Sequence, residues 1–178
     1  DLGLSLASVV RITNELMEEQ LVRLQGEYES SGGRRRPLIE LDAQNNVVIS
    51  IVVGGQKARA ALCSITGQIL ESRLLENHQR KGEDCVEMIR ALAEDMYSRI
   101  QGRIVRGISV GVPGIVLDGD KVMAAPAVGL DNVCLAQRLS AYFNCPILVE
   151  NDVNLEALGE SWFGAGQEVH DLAYIHIG

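Results

Sequence analysis

The chain has 178 residues, 47% of them hydrophobic and only 4% aromatic, and a formal net charge of −8. That length suits one domain or one and a fraction, with a core drawn from Val, Leu, Ile and Ala. The acidic balance excludes a protein that coats nucleic acid with its whole surface, though not a small local basic site.

No apolar run approaches the roughly 18 residues of a membrane-spanning helix, and the first residues do not read as a signal peptide. Cys63, Cys85, Cys134 and Cys145 are scattered, with no CxxC. They read as small buried hydrophobes of a reducing cytoplasm, with a disulfide or metal pair as the alternative. Both ends look cut, since DLGLS opens inside a motif and DLAYIHIG stops on an apolar strand. A fragment of a longer protein is expected.

Residues 5 to 20 read as a helix, with Ser5 as its N-cap and Val9, Ile12 and Leu16 at the spacing of a buried stripe. LVRLQ and PLIEL then read as two short strands around the polar loop GEYESSGGRRR, a hairpin with a basic tip. After the joint AQNN, residues 43–46, three strands are expected at 47–53, 57–64 and 67–76. Their short connections imply an antiparallel meander.

GEDCVEMIRALAEDMYSRI reads as a helix with Val86, Ile89, Leu92, Ala93 and Met96 on one face. VRGISVGVPG follows as a buried strand ending in a glycine-rich loop. IVLDGDKVMAA is a hairpin turning on Asp118-Gly119. NVCLAQRLSAYFN reads as a helix, CPILVEND as a strand, VNLEALGESWF as a helix and DLAYIHI as a final strand. A meander followed by helix–strand alternation indicates an α/β layer fold with a mixed sheet. The strand order does not follow from the pattern.

Three stretches carry possible chemistry. Gly54 and Gly55, followed by Lys57, form a tight turn of the kind that brings backbone N–H groups to a phosphate. Phosphate transfer also wants a carboxylate for the metal ion, and Ile51, Val52 and Val53 before the turn supply none. The same glycines equally close a simple hairpin. Arg34, Arg35 and Arg36 cluster at the hairpin tip, where guanidinium groups grip phosphates or enter a minor groove, or stay solvated. The first 36 residues are not basic overall, because Asp1, Glu15, Glu18, Glu19, Glu27 and Glu29 offset the arginines. Asn151-Asp152 precedes a helix that either residue can cap. His78, His170 and His176 form no ligand spacing with the cysteines, so no metal is assigned.

Taken in order, SVVRITNELMEEQLVR, GGRRRP, GGQKARAAL, GVPGIV and VENDVNLEALGE resemble the ROK family of sugar-responsive repressors and sugar kinases. The likeness covers nearly the whole chain, and VENDVN with GVPG at this spacing is its specific part. The resemblance implies an actin-like, ribonuclease-H-like α/β ATPase lobe with a mixed sheet over 47–178, lacking the C-terminal lobe. A partial winged helix-turn-helix over 1–42 would precede it. Gly3-Leu4-Ser5 would be the turn and 6–20 the recognition helix, presenting its N-terminal residues to base edges. DNA contacts are then expected from Ser5, Ser8, Arg11, Arg34, Arg35 and Arg36.

In the family's kinases an aspartate stands at the position of Val52, and a threonine or serine at that of Gln56. Gly54, Gly55 and Lys57 thus resemble a degenerate phosphate turn. Losing one preorganised electrostatic group costs on the order of 2.7–4 kcal/mol of barrier, so two losses argue against efficient phosphoryl transfer. Asp152 matches the family's general base, and in a repressor it would simply accept a sugar hydroxyl's hydrogen bond. Gly114, Asn151 and Asp152 are the expected sugar contacts, and no catalytic residue is expected.

One departure is Ala127, where the family has an asparagine. The missing amide costs about 1–3 kcal/mol through its unpaired partner, which implies a different effector or a weak response. Asn132 is the nearest substitute, though nothing in the sequence places it there.

The resemblance therefore implies a cytoplasmic, sugar-responsive repressor of carbohydrate genes, homo-oligomeric because paired half-sites need paired helices. Its partners would be operator DNA and a sugar or sugar phosphate, with no membrane and no cofactor within the chain. The family's structural zinc would lie beyond Gly178. The alternatives are an ATP-dependent sugar kinase, which Asp152 favours, and a DNA-binding regulator without an effector, which Ala127 allows.

Overall fold

A computed structural model describes residues 3–28 and 36–176. Helix α1 (Leu6–Glu18) comes first, followed by the antiparallel pair β1 (Val22–Tyr28) and β2 (Arg36–Leu41). The strands run closer to the tip than the sequence suggests. Residues 26–28, read as loop, continue β1, with Tyr28 opposite Arg36. Arg34 and Arg35 lie outside the described residues.

The meander is β3 (Asn46–Val53), β4 (Lys57–Ser64) and β5 (Ile69–Glu76). Helix α2 (Glu83–Tyr97) leads into β6 (Ile104–Val112). A small three-stranded sheet follows, of β7 (Ile115–Leu117), β8 (Lys121–Ala125) and β9 (Leu130–Cys134). Helix α3 (Leu135–Ser140), strand β10 (Ile147–Asn151) and helix α4 (Asp152–Phe163) complete the regular elements.

The main sheet has the order β10-β6-β3-β4-β5. β10, β6 and β3 are parallel, while β3, β4 and β5 are antiparallel, so the sheet is mixed. Period-two alternation explains the core. Val47, Ile49, Ile51 and Val53 point to one face and are fully buried there with Ala60 and Leu62. α2 closes that face with Ile89, Ala93 and Met96. Val48, Ser50 and Val52 point the other way, towards α4.

Two expectations fail. The helix read from NVCLAQRLSAYFN starts only at Leu135, and residues 130–134 pair with β8 instead, Val133 opposite Val122. Asn132 has φ +51°, a left-handed conformation that a helix interior does not accept. The helix start is set from a distance: the Asp120 carboxylate accepts from Gln137 N at 2.9 Å, and Leu135 N donates to Asp120 O at 3.1 Å. The second failure is DLAYIHI, which forms no strand over 171–176; Ile175 is 81% exposed. An apolar run becomes a strand only by pairing its backbone, and no described strand pairs with this one.

Candidate effector site

The site lies on the sheet face opposite α2. Gly111, on β6, makes it possible. A Cβ there would stand 3.3 Å from Val52 Cγ2, 3.1 Å from Leu155 Cδ1 and 3.6 Å from Asp152 Cα. β6 therefore lets the first turn of α4 approach β3, and Val52 and Asp152 face one groove of about 450 Å³. Its floor includes Val48, Ser50 and Ser109, and Trp162 and Phe163 close one end. Mostly apolar walls with a few polar groups are the usual make-up of a small-molecule site.

Asp152 is half-buried at the head of α4. Its Oδ1 accepts from Val153 N at 3.0 Å, which leaves Oδ2 to meet a ligand. Asn151 is more committed. Its Oδ1 caps α4 by accepting from Asn154 N at 3.0 Å, and its Nδ2 donates to Gly114 O at 2.9 Å. It ties the GVPG loop to α4. Gly114 itself has no room for a side chain, because a Cβ would stand 2.3 Å from Ala124 O. Gly114, Asn151 and Asp152 are thus brought together.

The glycine turn is closed on itself. Gly54 N donates to Lys57 O at 2.8 Å, so that amide is not free for a phosphate. Asn77, fully buried, holds the turn from behind: Nδ2 donates to Gly54 O at 2.6 Å, and its backbone N to Gln56 O at 2.7 Å. Among the described residues, Asn77 Oδ1 has no hydrogen-bond partner. Sequence reading missed this residue, and nothing local announces it. Lys57 and Gln56 are exposed. The turn lies beside Ala127, whose O would be 3.5 Å from a Cβ on Gly55.

At the groove's edge, Glu156 binds the segment after α4. His176 Nδ1 lies 3.0 Å from Glu156 Oε2, and a hydrogen bond to Glu156 holds the Tyr174 phenol above its ordinary pKa. Burial pushes the Cys63 thiol up, and that of Cys85 up to about 11, so neither is a reactive thiolate. Among the described residues, no group of three His, Cys, Asp or Glu side chains converges to hold a metal.

The expected DNA residues sit apart, on α1. Ser5 is the N-cap: its Oγ accepts from Ser8 N at 3.2 Å and lies 2.9 Å from Ser8 Oγ. Arg11 pairs with Glu15 at 2.7 Å, with 69% and 54% of the two side chains exposed. Such a pair is worth about 0.3–0.5 kcal/mol and yields easily to a phosphate. Arg36 opens β2, but its side chain, with Arg34 and Arg35, lies outside the described residues.

The ROK family model matches residues 48–178, well over half of the sequence. The chain belongs to the ROK family. A xylose repressor from Caldicellulosiruptor bescii is 30% identical across 98% of this chain and 45% of its own length. The regulator NagC of Escherichia coli is 31% identical across 96% of this chain and 43% of its own. The chain thus spans less than half the length of these curated relatives. Among solved ROK structures, a transcriptional regulator described as a homologue of the E. coli MLC protein superposes with TM-score 0.77 over 93% of this chain and 43% of its own, at 23% identity. The ROK glucokinase of Streptomyces griseus, solved with glucose and AMPPNP, superposes with TM-score 0.62 over 68% of this chain and 38% of its own, at 29% identity. The mixed sheet is accordingly the actin-like ROK fold.

Proposed function

We propose that this chain belongs to a sugar-responsive transcriptional repressor, with α1 and the β1–β2 hairpin as part of a winged helix-turn-helix over residues 1–42. Residues 47–178 are the effector lobe. The observation that carries the reading is the extent of the likeness. A xylose repressor and the transcriptional regulator NagC match 98% and 96% of the chain, α1 and the hairpin included. The glucokinase covers 68%.

The groove supports the same reading. Val52 gives no ligand to a metal–nucleotide complex, and the turn beside it is closed by Gly54 N and Asn77. Asp152 Oδ2 accepts a sugar hydroxyl, and Asn151 holds the Gly114 loop against the head of α4. A sugar that fits better when the groove is in one of two states shifts the balance between them, and with it the affinity for operator DNA. In a homo-oligomer, paired α1 helices meet paired half-sites through a small footprint of Ser5, Ser8, Arg11 and the arginines at the hairpin tip. No cofactor is needed for this role. The kinase alternative has one observation in its favour, the position of Asp152 in the groove.

Calorimetric titration with D-xylose, N-acetylglucosamine and D-glucose tests the site, using the protein in the longest form its gene encodes. One sugar should bind, and Asp152→Asn, which keeps the fold and changes only the acceptor, should weaken it at least tenfold, about 1.4 kcal/mol. A coupled assay should detect no ATP-dependent phosphorylation. Turnover of the bound sugar would establish the kinase instead.

A further inference from the structure

α1 ends badly by its own sequence. Its last turns carry Glu15 and Glu18, followed by Glu19 at the C-cap, with no basic residue to oppose the negative end of the helix dipole. Gln20 then takes φ +58°, and its N–H and that of Leu21 bond back to Met17 O and Leu16 O at 2.9 Å. That is a Schellman closure in which glutamine occupies the left-handed position. The carbonyls of Glu19 and Gln20 still need donors.

Both donors come from the main sheet. Arg106 Nη2 donates to Glu19 O at 2.5 Å, and Asn46 Nδ2 to Gln20 O at 2.7 Å. Asn46 is fully buried, donates also to Asp42 O at 2.8 Å, and accepts from Arg106 Nε. The two side chains form one clamp, with every polar atom of the asparagine engaged. Its aim comes from the backbone. Along β3 and β6, Val47 pairs with Val105 and Val48 with Gly107, so Arg106 is the extra residue of a β-bulge. A bulge re-aims a side chain that regular pleating would send elsewhere.

The far end of β6 is the effector site. Six residues on, about 20 Å along the strand, β6 ends at Val112 and delivers Gly114 to Asn151. One strand therefore touches the end of α1 with a bulged arginine, lines the groove with Ser109 and leads into the Gly114 loop that Asn151 holds. α1 itself buries no residue, so its placement relies heavily on this clamp and on β1.

We propose that Arg106 is a positioning residue that carries the state of the groove to α1. The inference rests on the repressor reading above and names its route. The test is hydrogen exchange of α1 in the wild type, Arg106→Ala, Arg106→Lys and Arg103→Ala, each with and without D-xylose, N-acetylglucosamine or D-glucose. Arg103 starts the same region but bonds Gln44 O and Ile100 O, not α1. In the wild type, one sugar should change α1 exchange at least threefold. Arg106→Ala should speed α1 exchange at least tenfold, leave β3 and β4 unchanged, and abolish the sugar effect. Arg106→Lys should restore part of both, and Arg103→Ala should match the wild type. Unchanged α1 exchange in Arg106→Ala overturns the clamp. Faster exchange that still responds to sugar overturns the transmission. Failure of the sensing reading is seen separately, as a wild type indifferent to every sugar, and it overturns the transmission too.

Discussion

Gly114 and Asn151 show how much of the site rests on single atoms. The missing Cβ of Gly114 lets β8 pass close by, and its carbonyl receives the Asn151 amide. Gly114→Ala should destabilise the chain by about 2–3 kcal/mol, as overpacked sites do, read as a lower urea midpoint. Cys85 gives a pH prediction. Burial pushes its pKa from the ordinary thiol value up to about 11. A pKa raised by folding stabilises fully below the unfolded value and is lost as pH rises through the folded one. Stability should therefore fall between about pH 9 and pH 11, and Cys85→Ala should flatten that fall. In the folded chain at neutral pH, Cys85 should be the last thiol to react with iodoacetamide.

At the scale of elements, what was legible depended on how locally each one is specified. α2 and the β3–β4–β5 meander follow from periodicity, because each buries one face against a neighbour close in sequence. β9 was hidden, since its pairing with β8 and the Asp120 cap of α3 are set by a hairpin, not by the residues of 130–140 themselves. Segment 171–176 failed for the opposite reason, an apolar run without a described partner strand. The site was legible in part. Motif residues Gly114, Asn151 and Asp152 stand close together in sequence-marked turns, while Asn77, Asn46 and Arg106 act across 23, 26 and 60 or more positions, a distance no local pattern spans. α1 offers its own test. Gln20→Gly, placed at φ +58°, should stabilise the chain by roughly 1 kcal/mol because glycine adopts that region freely. Ser5→Ala should cost about 1 kcal/mol through the lost cap. Urea melts followed by circular dichroism check both.

At the scale of the whole molecule, a mixed α/β lobe stands beside a helix and hairpin, and hydrogen bonds from Asn46 and Arg106 join the two. With a net charge of −8, DNA contact would rest on a small cationic footprint, so affinity should fall with salt at the modest slope that a few phosphate contacts give. The most direct measurement is fluorescence anisotropy of the protein, in the longest form its gene encodes, with duplexes selected from a random pool. Salt is titrated first, and D-xylose, N-acetylglucosamine and D-glucose are added in turn. The account predicts specific, salt-sensitive binding that one sugar weakens at least tenfold. Binding no tighter than to a scrambled duplex, or binding that every sugar leaves unchanged, would contradict it.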